Sequence, residues 1–366
     1  MAGEGMWSWL ALGRRFVQLA LARQASGVVH LVIDDTLTLR SSKKAPGSQI
    51  HHQHGNKPNL ARYVRAQCWV SLAMVAKRLD GATLALPLLS RLMPSGGNTG
   101  KLVGAKTLVR AVYRLFAGRA VRVLVDAWYM RRIFIDSMLS RGFDVIGQVR
   151  IDTCLHAPPP ERQVGRRGRP RKYGEKYTPE KVASLPSTET TLQLYGKAQV
   201  LRYRSAVVMA RFLNGRRVRI VWCEFQSESG KWRSTCLLLS TDSTLTAEQV
   251  IEAYGLRWSI ESMFHQLKLA WGLKEAWQQT RQTLQRWVQL TMLGYGLLQL
   301  LSCLDSPIVA DLCRHSPWRK HALITAGQIR KGLVRIFRHV QGEHVVGGKV
   351  PKIRAARLGG KCTKTV

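Results

Sequence analysis

VVHLVIDDT, residues 28–36, is an apolar, largely β-branched run that closes on two aspartates. Branched side chains suit a pleated strand, and a short unbroken apolar run reads as a strand buried on both faces. AVRVLVDAWY, 120–129, repeats the pattern and ends its apolar run on Asp126. FDVIGQVR, 143–150, and RAQCWVSLAMVAKRL, 65–79, read as further strands. Helical apolar spacing fills the intervals at 6–24, at KTLVRAVYRLFAG (106–118, stopped by Gly118) and at 131–141. Strands alternating with helices define an α/β layer whose two central buried strands each end in Asp.

Bulk composition narrows the partner. The chain has 366 residues, 45% of them apolar, enough for a sizeable core. Lys and Arg number 57 against 22 acids, a formal charge of +35. A charge of that size opposes compaction and draws polyanions, so nucleic acid is the first expected partner, ahead of a membrane surface. Ribosomal or tail-like basicity fits a shorter, less apolar chain. The best apolar run, VQLTMLGYGLLQLL (288–301), is too short to span a membrane and reads as a buried helix. MWSWLALGRRFVQLALA (6–22) is broken by Arg14–Arg15 and reads as an amphipathic helix of a cytoplasmic, nucleoid-associated protein. Seven scattered cysteines without C-x-x-C imply neither a disulfide framework nor a zinc site.

The character changes near residue 152. HAPPPERQVGRRGRPRKYGEKYTPEK (156–181) is too rich in Pro, Gly and Arg to build a core. Strand-like runs follow at 190–196, 197–213, 216–225 and 231–240, with Asn214–Gly215 as a hairpin signal. Residues 152–235 thus read as a basic loop and an inserted β-rich module. Arg167 and Arg169 flank a glycine before proline, the core of an AT-hook that can enter a narrow minor groove; the plainer reading is a loop touching phosphates, and both put it on DNA. Helix reopens in 240–258, where Thr246 and Gln249 stand in capping-box spacing. From Arg319 onward the sequence has 12 Lys and Arg and one acid, Glu343, as expected of a segment lying against a polyanion.

AYGLRWSIESMFHQLKLAWGL, 253–273, carries the remaining signal. Treated as one helix with Tyr254 at zero, Arg257 falls near about 300°, Lys268 near about 320° and Glu261 near about 340°. Leu256, Ile260, Met263 and Leu267 form a separate apolar stripe. The polar stripe is either an ordinary i,i+4 ion pair on a solvated face or the wall of a site. Cleavage of a phosphodiester with divalent metals needs clustered carboxylates, and Asp34 (or Asp35), Asp126 and Glu261 are the candidates.

Tyr254-x2-Arg257-x3-Glu261-x6-Lys268 resembles the Y-R-E-K signature of bacterial insertion-sequence transposases of the DDE class. LVIDDT is similar to that family's first-aspartate strand with its Asp-x-Thr pattern, and VLVDAWY to its second. The resemblance covers about residues 28–300. It implies an RNase H-like mixed sheet flanked by helices, with a β-rich insertion between second aspartate and glutamate. It implies two Mg²⁺ (or Mn²⁺) ions held by Asp34, Asp126 and Glu261, with Tyr254, Arg257 and Lys268 gripping phosphates of the transposon end. Asp34 is favoured over Asp35 by the Asp-x-Thr pattern, and strand alternation lets only one of the two join the cluster. The partners implied are double-stranded DNA (terminal inverted repeats and target) and a second copy in a synaptic homodimer, with no membrane.

On this reading residues 1–27 are a short helical segment, a truncated end-binding region. Residues 28–151 and 236–303 are the two parts of the catalytic core, 152–235 the insertion and 304–366 a basic C-terminal region. The expected activity is cleavage of transposon ends and strand transfer. The alternatives are a DNA-binding remnant without transposition and a metal-dependent nuclease of the same fold. Trp222 and Trp232 read as core or sheet surface more readily than as base-stacking groups, and Trp258 as packing. HHQH (51–54) is a weak metal signal, and caps or surface positions account for Asp136 and Asp144.

Overall fold

The computed structural model describes residues 8–24, 27–53, 61–94, 98–161, 171–313 and 324–338. Residues through Cys303 form one compact unit and Leu304 onward a second.

In the first unit, α1 (Trp9–Arg23) is capped by Ser8, whose Oγ accepts from the Ala11 N–H. There follow β1 (Val29–Leu39), β2 (Ser48–His52), β3 (Tyr63–Lys77), β4 (Thr83–Leu92) and α2 (Asn98–Val112). Next come β5 (Val121–Val125), α3 (Arg132–Leu139), β6 (Phe143–Val149) and β7 (Leu155–His156). The short α4 (Pro179–Ala183) leads to β8 (Thr188–Leu194), β9 (Lys197–Ala210), β10 (Arg216–Phe225) and β11 (Cys236–Ser240). The unit closes with α5 (Ala247–Leu256), α6 (Ser259–Ala270) and α7 (Arg281–Leu301).

The strands form one mixed sheet of 11, ordered β2-β3-β1-β5-β6-β11-β10-β9-β7, with β4 on β3 and β8 on β9. At its centre β1, β5 and β6 run parallel, with β3 antiparallel to β1 and β4 antiparallel to β3. This is the RNase H-like mixed sheet flanked by helices. Beyond β6 comes β11, the first strand after the inserted region, antiparallel to β6, and the inserted strands β10 and β9 follow it.

Alternation along β1 sorts its side chains between two apolar layers. Leu31 and Ile33 join Phe16, Leu108, Val109 and Phe134 on the α1–α2–α3 side. Val32 joins Leu124, Ile146, Val250, Ile260 and Met263 on the α5–α6 side. Asp34 therefore follows Val32 towards α5 and α6, and Asp35 faces the other way.

Several elements differ from expectation. The aspartates do not end β1. Its parallel ladder with β5 stops at Ile33↔Val125, but β3 continues to pair with it as far as Leu39↔Ala66. The helix expected at 106–118 begins at Asn98 and tightens into a 3₁₀ turn at Tyr113–Phe116, before Gly118 at φ +77°. β4 is unanticipated because Pro87 breaks its pattern; the ladder with β3 shifts register there, on an edge strand where a proline costs no central hydrogen bond. Residues 253–273 are two helices. Between them Arg257, Trp258, Ile260 and Glu261 donate to carbonyls three residues back, so the chain tightens through Arg257–Trp258 without a proline.

Two local expectations hold. Thr246 and Gln249 make both halves of the capping box on α5, and Asn214 and Gly215 (φ +58° and +79°) turn β9 into β10. Cys68, Cys154, Cys223, Cys236, Cys303 and Cys313 are free thiols. Among the described residues no helix is long and apolar enough to cross a membrane.

In the second unit the described residues include α8 (Pro307–Cys313) and α9 (Ala326–Phe337), the latter capped by Thr325 with Gln328. Arg167, Arg169, His54 and most of the basic stretch after Arg319 lie outside the described residues.

Candidate active site

The parallel ladders end together at Ile33, Val125 and Gly147. One step further, in the same row, stand Asp34, Asp126 and Gln148, just past the carboxyl ends of the parallel ladders. Clefts outside such strand ends are where open α/β sheets bind ligands. Gly147 lets the row form: a Cβ there would stand 2.5 Å from Met130 Sδ and 2.9 Å from the Val125 carbonyl oxygen.

The α5–α6 junction lies over this row. The Tyr254 hydroxyl donates to Gln148 Oε1 at 3.4 Å. Arg257 spans two carboxylates, with Nη2 to Glu261 Oε1 at 2.7 Å and Nη1 to Asp34 Oδ2 at 3.4 Å. Its guanidinium also sits 5.6 Å from the Tyr254 ring centroid. The tight turn therefore brings Tyr254 and Arg257 onto the sheet, with Glu261 tied to Asp34 through Arg257. Lys268 is in the last turn of α6, half-buried and already in contact with the protein.

The electrostatics are those of crowded, half-buried carboxylates. Burial, then the charges of Asp126 and Asp35, push Asp34 up to about 8, against opposing help from Arg257 and the Asp35 N–H, which donates to Asp34 Oδ1 at 2.7 Å. Burial also raises Asp126, although the Tyr129 and Trp128 N–H groups donate to its Oδ1 at 3.3 and 3.0 Å. Burial works against the Arg257 charge, and Tyr254, Glu261 and Asp34 more than offset it.

Asp35 belongs to a different set on the reverse face. It accepts from Lys101 Nζ at 2.8 Å and from the Tyr129 hydroxyl at 3.1 Å. Among the described residues no three His, Cys, Asp or Glu side chains stand placed to hold a metal ion, with Arg257 set between Glu261 and Asp34.

The aromatic residues divide. Trp222 is buried against Tyr177, as expected of core. Trp232 lies under Arg202, whose guanidinium is 4.5 Å from its ring. Trp258 corrects its expectation of packing: the residue is 50% exposed and its ring stands edge-on to Tyr195 with centroids 5.9 Å apart. Its position on the outside of the Arg257–Trp258 turn explains the exposure. Asp136 pairs with Arg132 on the surface, and Asp144 accepts from the Thr241 hydroxyl.

Lys101, Tyr129, Gln148 and Tyr195 escaped notice in the sequence. Tyr129 stands three residues after Asp126, and Gln148 is a polar residue in a buried strand, so both left a trace. Tyr195 occupies a left-handed turn (φ +57°) at the β8–β9 tip, within electrostatic reach of Arg257 and Glu261, and nothing local announces that.

A mixed sheet with acids at its parallel strand ends belongs to the class that the transposase resemblance implies. The chain is a member of the DDE superfamily endonuclease family, whose pattern matches residues 2–207, more than half of the sequence. The pattern of the archaeal transposase family ISC1217 matches residues 178–304. The first match contains Asp34 and Asp126, the second Tyr254, Arg257, Glu261 and Lys268. No curated protein matches the chain.

Proposed function

We propose that this DDE endonuclease is a transposase that cuts DNA at transposon ends and joins them to target DNA. The observation that carries the reading is Arg257, which links Glu261 on α6 to Asp34, midway along β1 just past its parallel ladder with β5 and in the same row as Asp126.

The donor set fits hard divalent cations. It is all carboxylate, and Asp34 and Asp126 are half-buried side chains whose charges oppose one another, a repulsion that a bound cation relieves. Asp34, Asp126 and Glu261 would hold two Mg²⁺ or Mn²⁺ ions. When bound, such ions supply an activated water or DNA 3′-hydroxyl and stabilise the leaving oxygen.

The protein's own groups position the reactants. The Trp128 and Tyr129 N–H groups aim Asp126. Arg257 keeps Glu261 close to the strand carboxylates and presents a planar fork suited to phosphate. Tyr254 and Lys268, one and three turns away along the same junction, add a hydroxyl and a point charge for the flanking phosphates. Arg167 and Arg169 in the inserted segment supply further phosphate or minor-groove contacts, and two copies acting on paired ends complete the assembly.

The test is to incubate the protein with Mg²⁺ and DNA carrying the inverted repeats that flank its gene. Nicked ends and joined products are expected, and both should vanish in Asp126→Ala and Glu261→Ala. Nicking that survives either substitution sinks the site assignment, and nicking without joining makes the protein a nuclease only.

A further inference from the structure

Behind the carboxylate row, on the α1–α2–α3 face, Asp35 and Lys101 form an ion pair at 2.8 Å, with side chains 16% and 18% exposed. Two charges so far from water are worth keeping only if the remaining lone pairs are used. The second oxygen of Asp35 is used: it accepts from the hydroxyl of Tyr129 at 3.1 Å. Tyr129 is itself wholly buried.

Tyr129 makes a second contact through its backbone, the N–H to Asp126 Oδ1. One residue thus grips both aspartate strands, β1 through its hydroxyl and the Asp126 carboxylate through its amide. Its neighbour Trp128 reinforces the loop. That ring lies 5.0 Å edge-on from Tyr129 and 5.1 Å from the Lys101 ammonium, while its N–H is the other donor to Asp126. The loop leaving β5 is therefore held from behind by the same ion pair at two points, the Tyr129 hydroxyl on Asp35 and the Trp128 ring beside Lys101.

We propose that Tyr129 is a positioning residue: anchored on the Asp35–Lys101 pair, it fixes the loop whose N–H groups aim the Asp126 carboxylate into the metal-binding side of the sheet. The inference rests on the proposed metal site. It also gives the second aspartate of the doublet a role distinct from the first: Asp34 faces the reaction, and Asp35 holds the frame that orients Asp126. Partners that orient a ligating carboxylate usually change metal affinity by about 10- to 100-fold when lost.

The test reads metal binding without catalysis. Mn²⁺ is titrated into the full-length protein, without DNA, by calorimetry and by quenching of tryptophan fluorescence. Tyr129→Phe keeps the ring in the core and removes only the hydroxyl. Its Mn²⁺ affinity is expected to fall by about 10-fold, with a matching loss in kcat for nicking and an unchanged KM for DNA. Asp35→Leu removes the acceptor from the other side, so the inference can be tested even if Tyr129→Phe fails to fold. The double variant should be no weaker than the worse single one, because both cut one link. Native affinity in Tyr129→Phe, or additive losses in the double variant, overturns the inference. Asp126→Ala is measured in parallel. If it loses Mn²⁺ while Tyr129→Phe does not, only the positioning role fails. If Asp126→Ala binds Mn²⁺ like the native chain, the metal-site reading fails and this inference with it.

Discussion

Asp34 is the carboxylate whose surroundings most oppose its charge. Its folded value, about 8, lies above the ordinary 3.8, so folding favours the protonated form. The stability this contributes is fully present below about pH 4 and is lost as pH rises through about 8. Asp34→Asn removes that loss. In a chelator, the variant is expected to resist urea better than the native chain at about pH 8.5, by on the order of a few kcal/mol, and to gain little at about pH 4. Unfolding curves at the two pH values check it, while nicking should be abolished. Arg257→Ala acts in the opposite sense. It leaves Glu261 and Asp34 without their shared cation, costing about 2 kcal/mol of stability and about 100-fold or more in nicking rate. A melt and a single-turnover assay on one preparation measure both. The proposal of Asp34, Asp126 and Glu261 draws on two apolar runs that each stop at an acid and on a third acid at helical spacing from Arg257. Asp35's partners were not legible: Lys101 and Tyr129 lie 66 and 94 residues away, and only the folded sheet brings them together.

At the scale of elements, local chemistry was readable where it is self-contained. Thr246 and Gln249 announce the start of α5 because both halves of a capping box lie within one turn. Thr246→Ala should cost about 1 kcal/mol in urea unfolding and weaken the seat of Tyr254. The break between α5 and α6 was illegible because it needs no breaker residue: Arg257 and Trp258 keep helical torsions and merely tighten to bonds three residues back. β4 was hidden by Pro87, tolerable only because tertiary pairing leaves it on an edge. Gly147 makes the strongest claim at this scale. Gly147→Ala should drive Met130 and the loop after β5 outward, with a loss of about 1–3 kcal/mol by urea unfolding. Its nicking defect should exceed that of Thr246→Ala.

For the whole molecule, the charge of +35 sets how DNA is held. If roughly 6–10 phosphates are neutralised, log K should fall against log salt with a slope of about −5 to −9. Fluorescence anisotropy with a labelled duplex, across a salt series, measures it; a slope near zero would remove nucleic acid as the partner of this charge. The α/β class and the inserted strands were legible from alternating helices and β-branched runs. That the inserted strands share the central sheet was not, since a strand's sequence shows its faces and not its neighbours.

That shared sheet has a metric consequence. Neighbouring strands lie about 4.8 Å apart, so the four steps from β5 through β6, β11 and β10 to β9 span roughly 19 Å. Hydrogen-bonded ladders run across every step. The sheet is a ruler: a group carried on β9 stands from Asp126 at a distance set by counting strands, with no joint between them to stretch.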